Sequence, residues 1–434
     1  MSESTTPVPP SVTPRVRAST IKGQSVRGAD PDLDLIIRGE FTKQQVVDPF
    51  RSSYTAAPGA NFNTIAPPMN PYALLRMVND SGVLKQAIEA MVTNVSGHGY
   101  RLEYVGPEGA QDTDEAMAEK VAVEALMNYP NDEYSMLTLR KRVRWDLEAT
   151  GNAFVECALN EKGQITALWH LPSHLVRITE ADPDPVEIQA FIPRPGSKPI
   201  RKIKRHFRRY VQIKDTKTVY FKELGDPRPI DPTNGKENTK LKFEDTATAV
   251  YHLSIYHGGS IYGLPRWSNA LTAIKGAREA ELTNLDFFTE NAIPAAVLTV
   301  SGGVMADHSV QALHDHFTAA RGRRSSNRLI VLEVVGDQNA ASESGVVPPP
   351  KVELKSMFDQ RPNDGTFLDY LKHQGDRIRS CFRLPPIFMG MSSDYSHATA
   401  KASYEVAEGQ VFGPERVAED DFINRVVLGS WGFK

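Results

Sequence analysis

Two long runs of helical periodicity decide what this chain can fold into. From Pro265 the apolar residues Trp267, Leu271, Ile274, Leu282, Leu285 and Phe288 hold one helical face to about Asn291, and Pro294 ends the run. About 26 residues rising ~1.5 Å each make a rod of roughly 40 Å. The second run, "DGTFLDYLKHQGDRIRSCF", spans 365–383 and is stopped by Leu384-Pro385-Pro386. Between them "AAVLTV" reads as a strand, "MADHSVQALHDHFTAARG" as a helix, and "NRLIVLEVV" and "VELKSM" as strands. A small unit, 294–357, is therefore carried between two long helices. If these run antiparallel, the unit is a knob on a two-helix stalk, a place where compact enzymes rarely put a domain.

Upstream the chain alternates helices and short strands. "NPYALLRMVNDSGVLKQAIEAMVTNVSG" predicts two helical pieces broken around Asp80-Ser81-Gly82. "YRLEYVG" alternates like a strand. "DTDEAMAEKVAVEALMNYP" and "SMLTLRKRVRWDLEATGNA" predict helices, the second ending at Gly151. "FVECAL", "ITALWHL" and "LVRITE" predict short strands, with "NEKG" as a hairpin turn. Downstream, 398–428 is helical with a break expected at Gly413-Pro414. The opening "MSESTTPVPPSVTPRVRAST" has no apolar core, so it is no secretory signal. Its Ser, Thr and Pro predict a disordered arm over 1–53, with order beginning at Tyr54.

"KPIRKIKRHFRRYVQIKDTKTVYFKE" is basic yet alternates with apolar residues, a β-ribbon pattern with Ile203, Phe207, Val211, Ile213, Val219 and Phe221 as its buried partners. Arg201, Lys202, Lys204, Arg205, Arg208 and Arg209 fit phosphate binding, a solvated strand face, or a seam against an acidic neighbouring subunit. The loop "RGRRSSNR", with Arg321, Arg323, Arg324 and Arg328, sits at the tip of the inserted unit. It fits nucleic-acid contact, an acidic protein partner or a plain solvated loop.

The most site-like stretch is "GGSIYGLPRW", 258–267, but it misses the catalytic templates. A nucleophile elbow needs G-x-S-x-G, and Ser260 has Gly258 two residues before it but Tyr262 two after. No P-loop and no G-x-G-x-x-G dinucleotide pattern occurs. Gly258, Gly259 and Gly263 instead read as a turn off a strand, Pro265 as a helix start, and Trp267 as the anchor of that helix. The enzyme alternative is a metal-dependent hydrolase or nuclease using His308, His314, Asp315 and His316. On a helix, however, His314 and His316 point about 160° apart, and no H-E-x-x-H is present.

Composition narrows the classes further. The 434 residues suffice for two to four domains, and a net charge of −3 gives no global attraction to nucleic acid. Two cysteines, Cys157 and Cys381, argue against a disulfide framework and a thiolate zinc site, and suit a reducing compartment. No apolar run is long enough to span a membrane.

"TAVYHLSIYHGGSIYGLPRWSNALTAI" followed by "FFTENAIPAAVLTVSGG" resembles the portal proteins of tailed bacteriophages. "RRYVQIKDTKTVYFKELGDPRPID" upstream and "RIRSCFRLPPIFMG" downstream are similar to the flanking family segments, and the likeness covers about 70–428. The resemblance implies an α+β portal fold: an α/β wing (54–264), two long antiparallel stem helices (265–291 and 361–384) and a small α/β clip (292–360) inserted between them. It implies a tunnel loop at 385–397, whose Met391, Ser392, Ser393, Asp394, Tyr395, Ser396 and His397 would meet DNA. A C-terminal wing helix over 398–434 would leave only a short or truncated crown. The implied role is a non-catalytic ring, commonly dodecameric, at one capsid vertex of the virion, assembled in the host cytoplasm. Its implied partners are double-stranded DNA, the terminase large subunit, the major capsid protein or scaffold and a head-completion adaptor, with no cofactor and no membrane. A third possibility is another ring-forming capsid connector or scaffold component.

Overall fold

The computed structural model describes residues 64–104, 113–190, 201–214, 217–290, 296–301, 303–305, 311, 334–336, 351–356, 364–391 and 396–431. The N-terminal arm expected over 1–53 lies outside them.

Helices α1 (Pro71–Asp80) and α2 (Gly82–Ser96) are separated by Ser81, whose extended backbone ends one helix while its hydroxyl accepts from Leu84 N and starts the next. Helix α3 (Asp114–Asn128) is capped by Thr113, and α4 (Met136–Thr150) runs from its Ser135 cap to Gly151. Among the described residues of "YRLEYVG", 100–104, no strand forms. Tyr100 and Tyr104 are exposed, and Tyr100 spends its hydroxyl on Asn128 rather than facing a partner strand.

Strands β1 (Asn152–Leu159), β2 (Ile165–Leu171), β3 (Val176–Ile178), β6 (Arg209–Lys214), β7 (Lys217–Glu223) and β8 (Ala249–Ser254) form one sheet in the order β2-β1-β8-β7-β6-β3. Every pairing is antiparallel except β7 with β8. The alternation of β1 feeds both faces, as a two-sided strand must. Phe154 joins Val176, Ile178, Tyr210, Phe221, Val250 and Tyr262 on one side, while Val155 and Cys157 join α3 and α4 residues on the other. Burial pushes the Cys157 thiol up to about 12, which leaves it inert. Between β3 and β6, strands β4 (Val186–Ala190) and β5 (Arg201–Arg205) pair only with each other. The basic segment is thus two structures. Phe207, Val211 and Phe221 are buried as expected, but Ile203 is exposed because its strand lies outside the main sheet.

The rod expected from Pro265 opens as a 3-10 turn (Arg266–Ala270) and becomes helix α5 at Leu271–Glu290. Helix α6 (Asp364–Phe382) returns beside it. Ile378 and Phe382 share a core with Trp267, Ala270 and Ile274, while Tyr370 lies against Gly276. Later residues of α6 thus meet earlier residues of α5, so the two run antiparallel. A Cβ on Gly276 would lie 2.3 Å from the Tyr370 hydroxyl, the outer end of an exposed side chain that can swing aside. Beyond them β9 (Ala296–Ser301) pairs antiparallel with β12 (Lys351–Ser356), joining the outgoing and returning chain, and β10 (Gly303–Met305) pairs with β11 (Val334–Gly336).

The C-terminal segment is continuous helix where a break was expected. Helix α7 (His397–Ala407) passes through a π turn at Glu408–Phe412 into α8 (Gly413–Asp421). Gly413 N donates to Glu408 O five residues back, and this wider turn accommodates the Pro414 ring that a regular helix would crowd. Among the described residues, no helix is long and apolar enough to cross a membrane.

Candidate functional site at the helix–sheet joint

The chain leaving β8 crosses the end of α4 with no space for a side chain. Gly151 ends α4 in the left-handed region at φ +77, and a Cβ on it would lie 2.4 Å from Leu264 C. A Cβ on Gly263 would lie 2.2 Å from Gly151 O and 2.5 Å from Ile255 O. Asn152 locks the crossing: its amide donates to Gly263 O at 3.0 Å, and its carbonyl accepts from Gly263 N at 2.8 Å. The same carbonyl accepts from His252 Nε2 at 3.0 Å, which fixes that ring's tautomer. Gly258 and Gly259 carry no such constraint. A Cβ there would meet nothing closer than 3.7 Å, so of the three glycines expected to make the turn only Gly263 is sterically required. Pro265 precedes the 3-10 turn at φ −65, and Trp267 is fully buried with Nε1 donating to Glu148 O at 3.0 Å.

Burial lowers His252 to about 4, where it stacks on Phe154 with ring centroids 4.7 Å apart. Above pH 6.5 His252 is neutral whether the chain is folded or unfolded. As pH falls from 6.5 to about 4, the unfolded chain takes up a proton that the folded chain refuses, so folding stability declines by up to about 3 kcal/mol. Urea unfolding at pH 7 and pH 5 is expected to show a smaller difference in His252→Asn than in the native chain. Equal differences would contradict it.

Next to the crossing lies a closed set of four charges that sequence reasoning missed. Arg144 Nη2 is 2.9 Å from Glu148 Oε1 and 2.8 Å from Glu415 Oε2. Arg266 Nε donates to Glu148 Oε2 at 2.8 Å, and Arg266 also pairs with Glu415. Arg144 and Glu148 are almost wholly buried. Burial works against the Glu415 carboxylate, but Arg144 and Arg266 outweigh it and hold the group below the usual carboxylate range. Burial likewise opposes the Arg266 cation, and Glu148 and Glu415 more than offset it. The set joins α4, the foot of α5 and α8. A cleft of about 410 Å³, lined in part by Arg266, Cys381, Arg383 and Glu415, opens beside it.

The other expected site residues are scattered. Arg209 is buried, with Nη1 donating to Asp226 at 2.8 Å, and Arg208 donates to Thr179 O at 3.2 Å. Arg205 pairs with Glu223 and covers the Phe207 ring; Lys202 meets Glu187 at 2.8 Å, and Lys204 is exposed. Arg201 sits opposite Ala190 at the start of β5. The six therefore do not form one phosphate-binding surface. Met391 is exposed, Ser396 caps α7 by accepting from Thr399 N, and His397 is the first residue of that helix. Ser392, Ser393, Asp394 and Tyr395 lie outside the described residues, as do Arg321, Arg323, Arg324, Arg328, His308, His314, Asp315 and His316. Among the described residues no three His, Cys, Asp or Glu side chains are grouped to hold a metal.

A backbone crossing without room for a Cβ, with paired buried charges beside it, thus links the sheet to the two antiparallel helices. A sequence profile of the phage portal protein family matches residues 100–408, and the chain belongs to that family. Two relatives come from Bacillus subtilis (strain 168). The uncharacterized protein YqbA is 31% identical over 416 residues, covering 94% of this chain and 78% of the relative. The phage-like element PBSX protein XkdE is 32% identical over 395 residues, covering 89% and 78%. In fold the chain is similar to a protein in the neck of an empty gene transfer agent particle computed with C6 symmetry, with a TM-score of 0.51 at 16% identity over 83% of this chain and 81% of that one. It is equally similar, at 0.51, to a chain in the virion of the native particle, over 86% and 84%.

Proposed function

We propose that copies of this chain close into a ring at one capsid vertex, the conduit through which DNA is packaged and later ejected. In this reading the sheet and its helices form the wing, α5 and α6 the stem, the strands beyond them the clip, and 385–397 the tunnel loop. The observation that carries it is the antiparallel pair of long helices, rooted in the core at Trp267 and Phe382 and continued at the far end by the paired strands β9 and β12. Such a rod sets two bodies a fixed distance apart, which a conduit between a capsid and a motor requires. A conduit needs shape, symmetry and weak contacts, because tight phosphate binding would stall a moving duplex. The dispersed basic residues fit that demand, and the burial of Arg209 removes it from any such contact. The docking partners in this reading are the terminase large subunit, a head-completion adaptor and the major capsid protein or scaffold, with the ring in the virion.

The tunnel loop supplies the test. Deleting Ser392 to Ser396 is expected to leave rings intact while DNA packaging, read as nuclease-protected DNA in assembled particles, falls at least about tenfold. Normal packaging by that deletion would overturn the loop's role.

A further inference from the structure

We infer that the β4–β5 ribbon of one subunit docks on helix α3 of the next copy, making the seam between neighbouring wings. The inference rests on the ring reading above and specifies its interface.

A closed ring needs two different, mutually complementary patches on opposite flanks of each subunit. The sheet order supplies the flanks. The ribbon grows from the β3–β6 end of the sheet, while α3 covers the β2 end, where Pro130 O accepts from Leu168 N at 2.8 Å. Strands β2 and β6 are four strand spacings apart, about 19 Å.

The two patches match in character. The ribbon pairs Ile188 with Ile203, and strand alternation puts Val186 on the same face. Ile203 is 46% exposed and Val186 and Ile188 are only half-buried, so this apolar face is incompletely covered for a two-stranded ribbon. On α3, Val123, Leu126 and Met127 face the core, yet Met117 and Val121, one turn apart, are 55% and 65% exposed. Charge agrees as well. The ribbon strands hold four basic residues against the single acid Glu187, for a net charge of +3. Helix α3 holds four acidic residues against the single base Lys120, for a net charge of −3. Nucleic acid would suit the ribbon's charge alone. It would not explain an exposed apolar face, nor an acidic apolar counterpart on the opposite flank.

The test uses the full chain with two variants, Ile203→Asp and Val121→Asp, read by native mass spectrometry and by circular dichroism for folding. The native chain is expected to form rings and each variant a folded monomer. Mixing the two variants leaves one intact ribbon and one intact helix, so a dimer containing one of each is expected. If either variant fails to fold, Arg205→Glu, on the Ile203 face of the ribbon, and Asp114→Lys, on the Met117 side of α3, replace the pair, and combining both changes in one chain is expected to restore rings. Rings from the single-patch variants, or no mixed dimer, would overturn the seam while leaving the ring reading intact. A native chain that forms no ring would overturn the ring reading itself. Loss of DNA binding by the ribbon variants with rings unchanged would assign the ribbon to nucleic acid instead.

Discussion

Gly263→Ala is expected to destabilise the chain by about 3 kcal/mol or more, lowering its urea midpoint far below that of Gly258→Ala or Gly259→Ala. The added Cβ would meet backbone atoms at 2.2 Å and 2.5 Å, with no flexible side chain to move aside. Making room would mean separating Gly151 from Ile255, whose N–H donates to Gly151 O at 2.9 Å. The same shift would pull Gly263 off both hydrogen bonds to Asn152. Its two neighbours in the motif have open space, so their substitution is expected to cost within about 0.5 kcal/mol. Three variants of similar stability would mean that the crossing is not the tight point of the joint.

Glu148→Gln is the second large effect, expected to cost about 3–5 kcal/mol because it leaves Arg144 buried with half its compensation gone. Arg144 is 2% exposed and Glu148 is fully buried, so water cannot replace the missing charge. Arg266 loses a partner in the same step. The double variant Arg144→Met/Glu148→Gln is expected to recover part of the loss, since it removes the uncompensated cation along with the carboxylate. Denaturant unfolding of the singles and the double checks this, and a double that equals the sum of the singles would show the pair to be uncoupled. Because the set fastens the foot of α5 to α8, the single variant should also raise hydrogen exchange in both segments.

The rod, the paired strands β9 and β12 at its far end and most strands of the sheet were legible because each rests on a local signal. Periodicity marked α5 and α6, Gly151 marked the end of α4, and "NEKG" marked the β1–β2 turn, where Gly163 has φ +79. The joint's own chemistry was not legible in that way. Nothing in the sequence sets Arg144 and Glu148, four apart on a helix, apart from a solvated pair, and only the fold buries them and brings Arg266 and Glu415 to them. Gly263 stood out in the sequence, but so did Gly258 and Gly259. What separates them is a crossing with Gly151, more than a hundred residues earlier. The basic segment misled because β alternation does not say which sheet a strand joins. Arg209 went into the main sheet and was buried, while Ile203 went into the ribbon and stayed exposed. The break expected at Gly413-Pro414 failed because a π turn absorbs the proline.

Electron micrographs of the purified chain test the central claim most directly. End-on views are expected to show closed rings of uniform size with an open centre. A single species of monomeric mass under assembly conditions, with no rings in any view, would contradict it.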